Sequence, residues 1–505
     1  MSKRVAIIWI ATLLASLLQG CAVHPEPLSD SVIRARAEID LADVAADQEP
    51  AANAISLYEA MARAIKYNLD LKVEEMTTSL RVAELDLSRW NMLPQIVANS
   101  GYAVRSNESA SSSLDVETRI ESLRTSTSQE KKVNTEDIGF SWNVLDFGLS
   151  YIRAQQAADK TLIAEETKRK VIQRLVEDVR TTYWRAVSAE RLMRKLSLLE
   201  SRTAQALSNT RKLYDNRETS PITALTYERE LVEVKRTIQE LERDLKVSKT
   251  QLAALMNIPP DEEFSIVVPP RTAKSPELGM NAQEMVTFAM LSRPELRDVA
   301  YQRRMNDRET DAALLELLPG IQLDATLNYD SNDFLLNNNW ASLGYKASWN
   351  LLKAFQYPRK KEVIKLQDDL LRERELALTM AILTQVHVSN VRYRHLRREL
   401  KTADEYLDVQ KRLLQQMRAE AKAEHVSEQT LIREEMNTLV AEVKHDIAFA
   451  NLQNGYANVF ASIGLDPYAD ALDPQLTVAE LAAQLQKLAV ERGDGRVKAK
   501  VAEAQ

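Results

Sequence analysis

The chain of 505 residues has a single cysteine, Cys21, and five histidines (His24, His387, His395, His425, His445) that form no HExxH pattern, so no metal-binding set can be assembled from spacing. A phosphate-cradling glycine loop is missing too, and no enzyme, cofactor or metal is expected. Backbone breakers are scarce and unevenly placed. No glycine lies between Gly148 and Gly279 or between Gly344 and Gly455, and no proline between Pro94 and Pro221 or between Pro358 and Pro467. Helices over these stretches meet no local obstacle, and at about 1.5 Å per residue each can reach roughly 100 Å. Globular helices usually stop within about 20 residues, so such rods point to a coiled coil or helical barrel. Basic residues are mixed among acidic ones at a net charge of −7, which excludes a nucleic-acid footprint and any nucleic-acid partner. After the amino terminus no apolar run approaches the ~20 residues a membrane helix needs, so strands must make any bilayer crossing.

What is present begins with Lys3 and Arg4, an apolar run from Val5 to Leu18, and "LQGC" ending at Cys21. A basic start, a short apolar core and a small residue before the cut read as a secretory signal. The cysteine at its end resembles the lipobox of bacterial lipoproteins, which implies lipidation of Cys21 and, with Ala22 following, an outer-membrane address.

The rest of the chain is a tandem duplication. "NMLPQIV" at 91–97 recurs as "ELLPGIQ" 225 residues later, and "SWNVLDF" at 141–147 recurs as "SWNLLKA" 207 residues later. The halves therefore differ by 18 residues in one loop. The expected divisions are a signal peptide over 1–20, a linker over 21–55, a first repeat over 56–260, a proline-rich linker over 261–280, a second repeat over 281–467 and a tail over 468–505. Each repeat reads helix, strand, loop, strand, long helix, tight break, helix. The first has helices at 56–91, 148–216 and 221–257 and strands at 95–105 and 137–145; the second has helices at 281–317, 358–423 and 427–463 and strands at 320–330 and 342–351.

In "IQLDATLNYD", residues 321–330, apolar and polar side chains alternate without a fault, the period of a strand with one wet and one greasy face. All four strands are about ten residues long, two-faced and tipped with aromatics, which fits transmembrane barrel strands. Tyr102, Trp142, Tyr329, Tyr345 and Trp349 are the expected lipid-facing aromatics. Four strands cannot close a barrel, and hydrocarbon tolerates no unpaired edge, so several copies must pool their strands. In the helix after Pro221, Leu231, Val234, Ile238, Leu241, Leu245, Ser248 and Leu252 step by 3 and 4 in alternation, a heptad seam.

Duplication, element order, the two "SWN-L" exits and the "GLDP"-like ends at 257–260 and 464–467 together resemble the outer-membrane factor family, typified by TolC. That resemblance implies a homotrimer: a mainly α protein with a small β part, in which a long antiparallel α-helical barrel continues a twelve-stranded transmembrane β-barrel. It further implies a periplasmic adaptor (membrane fusion) protein, an inner-membrane RND or ABC transporter and outer-membrane lipid as partners, and a role as exit duct in efflux or type I secretion. Its helix turns place adaptor contact at Arg217, Ser220, Pro221, Glu424 and Ser427, with Arg217 and Glu424 where the family usually has glycine. Its acidic entrance constriction would fall near Thr430 and Arg433, which are not acidic in this chain, so the candidate entrance residues are Arg433 itself and the nearby Glu428, Glu434 and Glu435. The alternative is a lipid-anchored coiled-coil scaffold or adhesin without a pore.

Overall fold

The computed structural model describes residues 26–44, 46, 48–50, 54–121, 124–259, 262–271, 278–423, 425–464 and 475–493. Cys21, Glu424 and residues 465–467 lie outside the described residues.

Helix α1 (Asp30–Asp43) precedes the first repeat. That repeat comprises α2 (Leu57–Tyr67), α3 (Leu69–Trp90), β1 (Gln95–Val104), the small hairpin strands β2 (Ala110–Ser111) and β3 (Ser126–Thr127), β4 (Lys132–Asn143), α4 (Val144–Asp215) and α5 (Pro221–Leu255). The second comprises α6 (Ala282–Ser292), α7 (Pro294–Leu315), β5 (Gly320–Asp330), β6 (Asn339–Ser348), α8 (Leu352–Lys422) and α9 (Glu428–Ser462), and α10 (Val478–Gly493) follows. At 72 and 71 residues, α4 and α8 extend roughly 110 Å each.

Local chemistry explains where these elements start and stop. The leading helix of each repeat, expected to be continuous over 56–91 and 281–317, is broken once. The Asn68 side chain caps α3 by accepting from the Leu71 amide, and Arg293 is extended because Pro294 follows it. The two breaks are 225 residues apart, the offset of the duplication. The long helices start earlier than the expected 148 and 358, and the strands before them stop earlier. In the first "SWN" Asn143 ends the strand and caps the helix by accepting from the amides of Leu145 and Asp146, while in the second Asn350, two residues past β6, accepts from the Leu352 amide that begins α8. After α4 and α5 the chain turns through left-handed residues at Arg217 (φ 57°) and Asn257 (φ 57°), and after α9 at Gly464 (φ 72°). Asn257 and Gly464 are again 207 apart. A side chain at Gly464 would meet the backbone of Ser292 within 2.7 Å. Two differences fall outside the repeats, since α1 lies in the expected linker over 21–55 and α10 in the expected tail.

β1, β4, β5 and β6 form one antiparallel sheet in that order, so β1 and β6 are open edges. The helices pack as α5 on α4, α4 on α9, and α9 on α8. Three apolar clusters hold them. One joins α2, α10, the middle of α4 and the end of α5, a second joins α4, α5 and α9, and a third joins α6, α8 and α9. In the first, burial beside Glu59 pushes the Tyr183 phenol above its ordinary value, which keeps it a donor to the carbonyls of Ile55 and Val267.

Two helices carry more apolar surface than the chain covers. α8 buries Ile364, Leu371, Ile382, Val386, Leu400 and Leu414, while a second stripe of Val363, Leu366, Leu370, Met380, Val391 and Val409 stays exposed. On α3 the exposed residues Leu69, Val73, Met76, Leu80, Leu87 and Trp90 follow heptad spacing.

Candidate functional site: an open sheet and a charged seam

The strand register joins the alternation of each strand into two continuous faces. Ile96, Phe140, Ala325 and Leu343 form one cross-strand row, Ala98, Ile138, Leu327 and Ala341 the next, and Trp142, Leu323 and Tyr345 a third. Tyr102 and Tyr329 share this face at its other end. The opposite face carries Asn99, Asp137 and Asn328 in one row and Ser141, Asp324 and Gly344 in another, and Trp340, which the alternation did not single out, stands among these polar residues. Hydrogen bonds run across it, from Asn99 to Asp137 at 2.9 Å and from Gln322 to Ser141 at 3.0 Å.

Among the described residues no helix covers the apolar face: Leu343 is 88% exposed, Tyr345 80% and Ile96 71%, and every residue of β1 and β6 is exposed. A half-buried soluble sheet packs its apolar face on a core. This one leaves its apolar face largely exposed and both edges unpaired in a single copy, a surface that marks a membrane or protein contact. Two of the expected aromatics are partly engaged within the chain. Trp142 stands edge-on to Phe147, and Trp349, just past β6, donates its indole N–H to the Leu317 carbonyl at 2.9 Å.

A second feature joins the repeats. Arg191, Lys195 and Arg202 of α4 pair with Asp446, Glu442 and Glu435 of α9; as α4 advances by 4 and then 7 residues, α9 steps back by 4 and 7. The result is an antiparallel zipper of ion pairs whose carboxylates are all buried. Arg271, from the linker between repeats, reaches both Asp446 oxygens at 2.8 and 3.0 Å and Glu442 at 3.4 Å. His445 is buried beside it, 3.3 Å from Asp404 of α8 and 3.8 Å from Asp446. Burial alone would raise the Asp446 carboxyl, but the His445 ring and the Arg271 and Arg191 guanidinia hold it below its ordinary value.

The residues expected at the far end of the helices spread over this seam and the turns. Pro221 opens α5 and Ser220 precedes it, while Ser427 caps α9 by accepting from the Thr430 amide at 3.2 Å. Glu428 is exposed in the first turn of α9. Arg433 pairs with Glu230 of α5 at 3.3 Å, so it ties α9 to the first hairpin. Glu434 is turned inward, accepting from Gln410 of α8, and Glu435 is held between Arg202 and Arg418. Sequence reasoning missed Arg191, Lys195, Arg202 and Arg271. The signal was there as a basic stripe at i, i+4, i+11 on α4 facing an acidic stripe of matching spacing on α9. Among the described residues no group of three His, Cys, Asp or Glu could hold a metal ion, and no helix is long and apolar enough to cross a membrane.

No protein-family model matches the sequence. No curated protein is similar to it by sequence. Solved structures do match. The CmeC outer membrane channel of Campylobacter jejuni aligns with a TM-score of 0.63 at 12% identity, over 92% of this chain and 97% of that one. The open state of the MtrE outer membrane channel of Neisseria gonorrhoeae gives 0.59 at 14% identity, over 81% and 89%. The outer-membrane channel OprN gives 0.61 at 14% identity, again over 81% and 89%. With 81% or more of this chain and 89% or more of each of these channels covered, the chain has the fold of these outer-membrane channels.

Proposed function

We propose that this protein is the outer-membrane exit duct of a tripartite efflux or type I secretion system in a Gram-negative bacterium. The observation that carries the reading is the sheet, which in one copy has an uncovered apolar face, a hydrogen-bonded polar face and two unpaired edges. In hydrocarbon each orphan backbone group costs several kcal/mol, so β1 of one copy must pair with β6 of the next. Three copies supply twelve strands and enough circumference for a water-filled bore, with the polar face turned to the lumen. The spare apolar stripes of α8 and α3 would meet neighbouring copies in the helical wall, and a lipid on Cys21 would add a membrane anchor.

The turns at Arg217, Ser220 and Pro221 and at Glu424 and Ser427 would meet the tip of a periplasmic adaptor, which links the duct to an RND or ABC transporter. At the entrance Glu428 offers an exposed carboxylate, while Arg433 and Glu434 act by fastening α9 to α5 and α8. The energy and most of the substrate choice then reside in the pump. The test is the mass and conductance of the purified full-length protein. Three copies per particle and current across a planar bilayer are expected, with the current larger once Arg433→Ala unfastens the entrance. A monomer that keeps its native circular dichroism in neutral detergent, or a trimer that never conducts even with Arg433→Ala, would overturn the reading in favour of a scaffold.

A further inference from the structure

Where α4, α9 and α8 lie side by side, a groove opens over the charged seam, with a cavity of about 750 Å³. That is within the roughly 300–1,000 Å³ of sites for drug-sized ligands. Its floor is apolar, made by Leu199, Leu414 and Leu439, and Leu198 stands 66% exposed at its lip. Its rim is basic, with Lys195, Arg202, Lys411, Arg418 and Lys422 around only two carboxylates, Glu435 and Glu442. Both carboxylates are already paired. Glu435 is held by Arg202 and Arg418, and Glu442 by Lys195 and Arg271. Lys411 and Lys422 have no acidic partner among the described residues, which leaves uncompensated positive charge beside an apolar floor.

We infer that this groove binds an amphipathic organic anion, its apolar body on the leucines and its acid group held by the basic rim, to whose positive charge Lys411 and Lys422 contribute from positions three turns apart on α8. Dimensions decide against a protein helix as the occupant. The groove follows α4 from Lys195 to Arg202 and α9 from Glu435 to Glu442, about two turns or roughly 10 Å of each, and α8 from Lys411 to Lys422, about three turns or roughly 16 Å. A docked helix gripped over two to three turns buries far less than the ~800 Å² per partner of a stable interface. A single flat or extended molecule of that length fills the space and neutralises the rim. The site stands on groove geometry and charge and does not rest on the exit-duct reading.

The experiment uses the full-length protein in a non-ionic membrane mimetic, with an environment-sensitive fluorophore on Leu198→Cys. Naphthalene-2-sulfonate is the probe, and 2-naphthylmethylammonium is the cation of the same shape. A saturable emission change at about 1 mM sulfonate is expected for a ligand of this size, with no saturation by the cation. Lys411→Glu with Lys422→Glu is expected to weaken sulfonate binding about tenfold or more, while Lys401→Glu, on α8 outside the groove, leaves it unchanged. Lys411→Gln, which removes one charge without reversing it, serves if the double variant fails to fold, and an intermediate weakening is expected. Equal binding of the cation, no saturation, or unaltered affinity in Lys411→Gln would overturn the proposal. A protein that fails to conduct in the bilayer experiment leaves this outcome untouched, so the two ideas fail separately.

Discussion

The two helical hairpins share one element order and differ in what they bury. The second helix of the first repeat, α5, buries Leu231, Val234, Ile238, Leu245 and Leu252 at heptad spacing. Its counterpart α9 buries Ile432, Leu439 and Leu452 but also Glu434, Glu435, Glu442, His445 and Asp446. An apolar seam is non-directional and tolerates small changes of shape or rotation. A seam of buried ion pairs holds only while each partner is in place, because a lone buried charge is costly. One hairpin is thus built as a plain rod and the other as a latch to it.

The comparison is broken most sharply at Asp446. Asp446→Ala strands Arg191 and Arg271, and a loss of about 3–5 kcal/mol is expected, read as a large drop in thermal midpoint; a change as small as that of an exposed carboxylate would put the latch elsewhere. Acid should open the same seam. Asp446 is held below its ordinary 3.8, so the folded state binds fewer protons than the unfolded chain in that range and stability rises with pH there. Its contribution is complete above 3.8 and is lost as pH falls below that value, so acid titration should loosen α4 from α9 before it loosens α4 from α5. Paired spin labels across the two interfaces measure the order.

On the apolar side, Ile238→Val removes one buried methylene and should cost only about 1 kcal/mol, with no pH dependence of its own. A cost equal to that of Asp446→Ala would erase the distinction. The smallest effect has the opposite sign. Arg217 occupies a left-handed turn that glycine adopts without strain, so Arg217→Gly should raise stability by at most about 1 kcal/mol, and thermal unfolding checks it.

Much of the architecture was legible because its causes are local. Alternation in "IQLDATLNYD" fixes the faces of a strand, and the two copies of "SWN" mark strand-to-helix exits, the first of which the structure shows to be capped by Asn143. The break at Arg293 was also within reach, since Pro294 disfavours a helical residue before it; the break at Asn68 was less so, because asparagine only favours a cap. The candidate entrance residues show the limit. Glu428 and Glu434 look alike in sequence, six residues apart on a helix crowded with charge, yet one is exposed and the other faces Gln410.

By itself, then, the sequence determined the duplication, the rods, the two-faced strands and the place of the turns, because periodicity and breakers act over a few neighbouring residues. Only the tertiary structure decided that α9 of the second repeat lies antiparallel on α4 of the first, that Arg271 returns to clamp Asp446, and that Lys411 and Lys422 line a groove floored by Leu199 and Leu414. Such pairings join positions some 250 residues apart, where nothing local distinguishes a charge that will be buried from one that will stay in water.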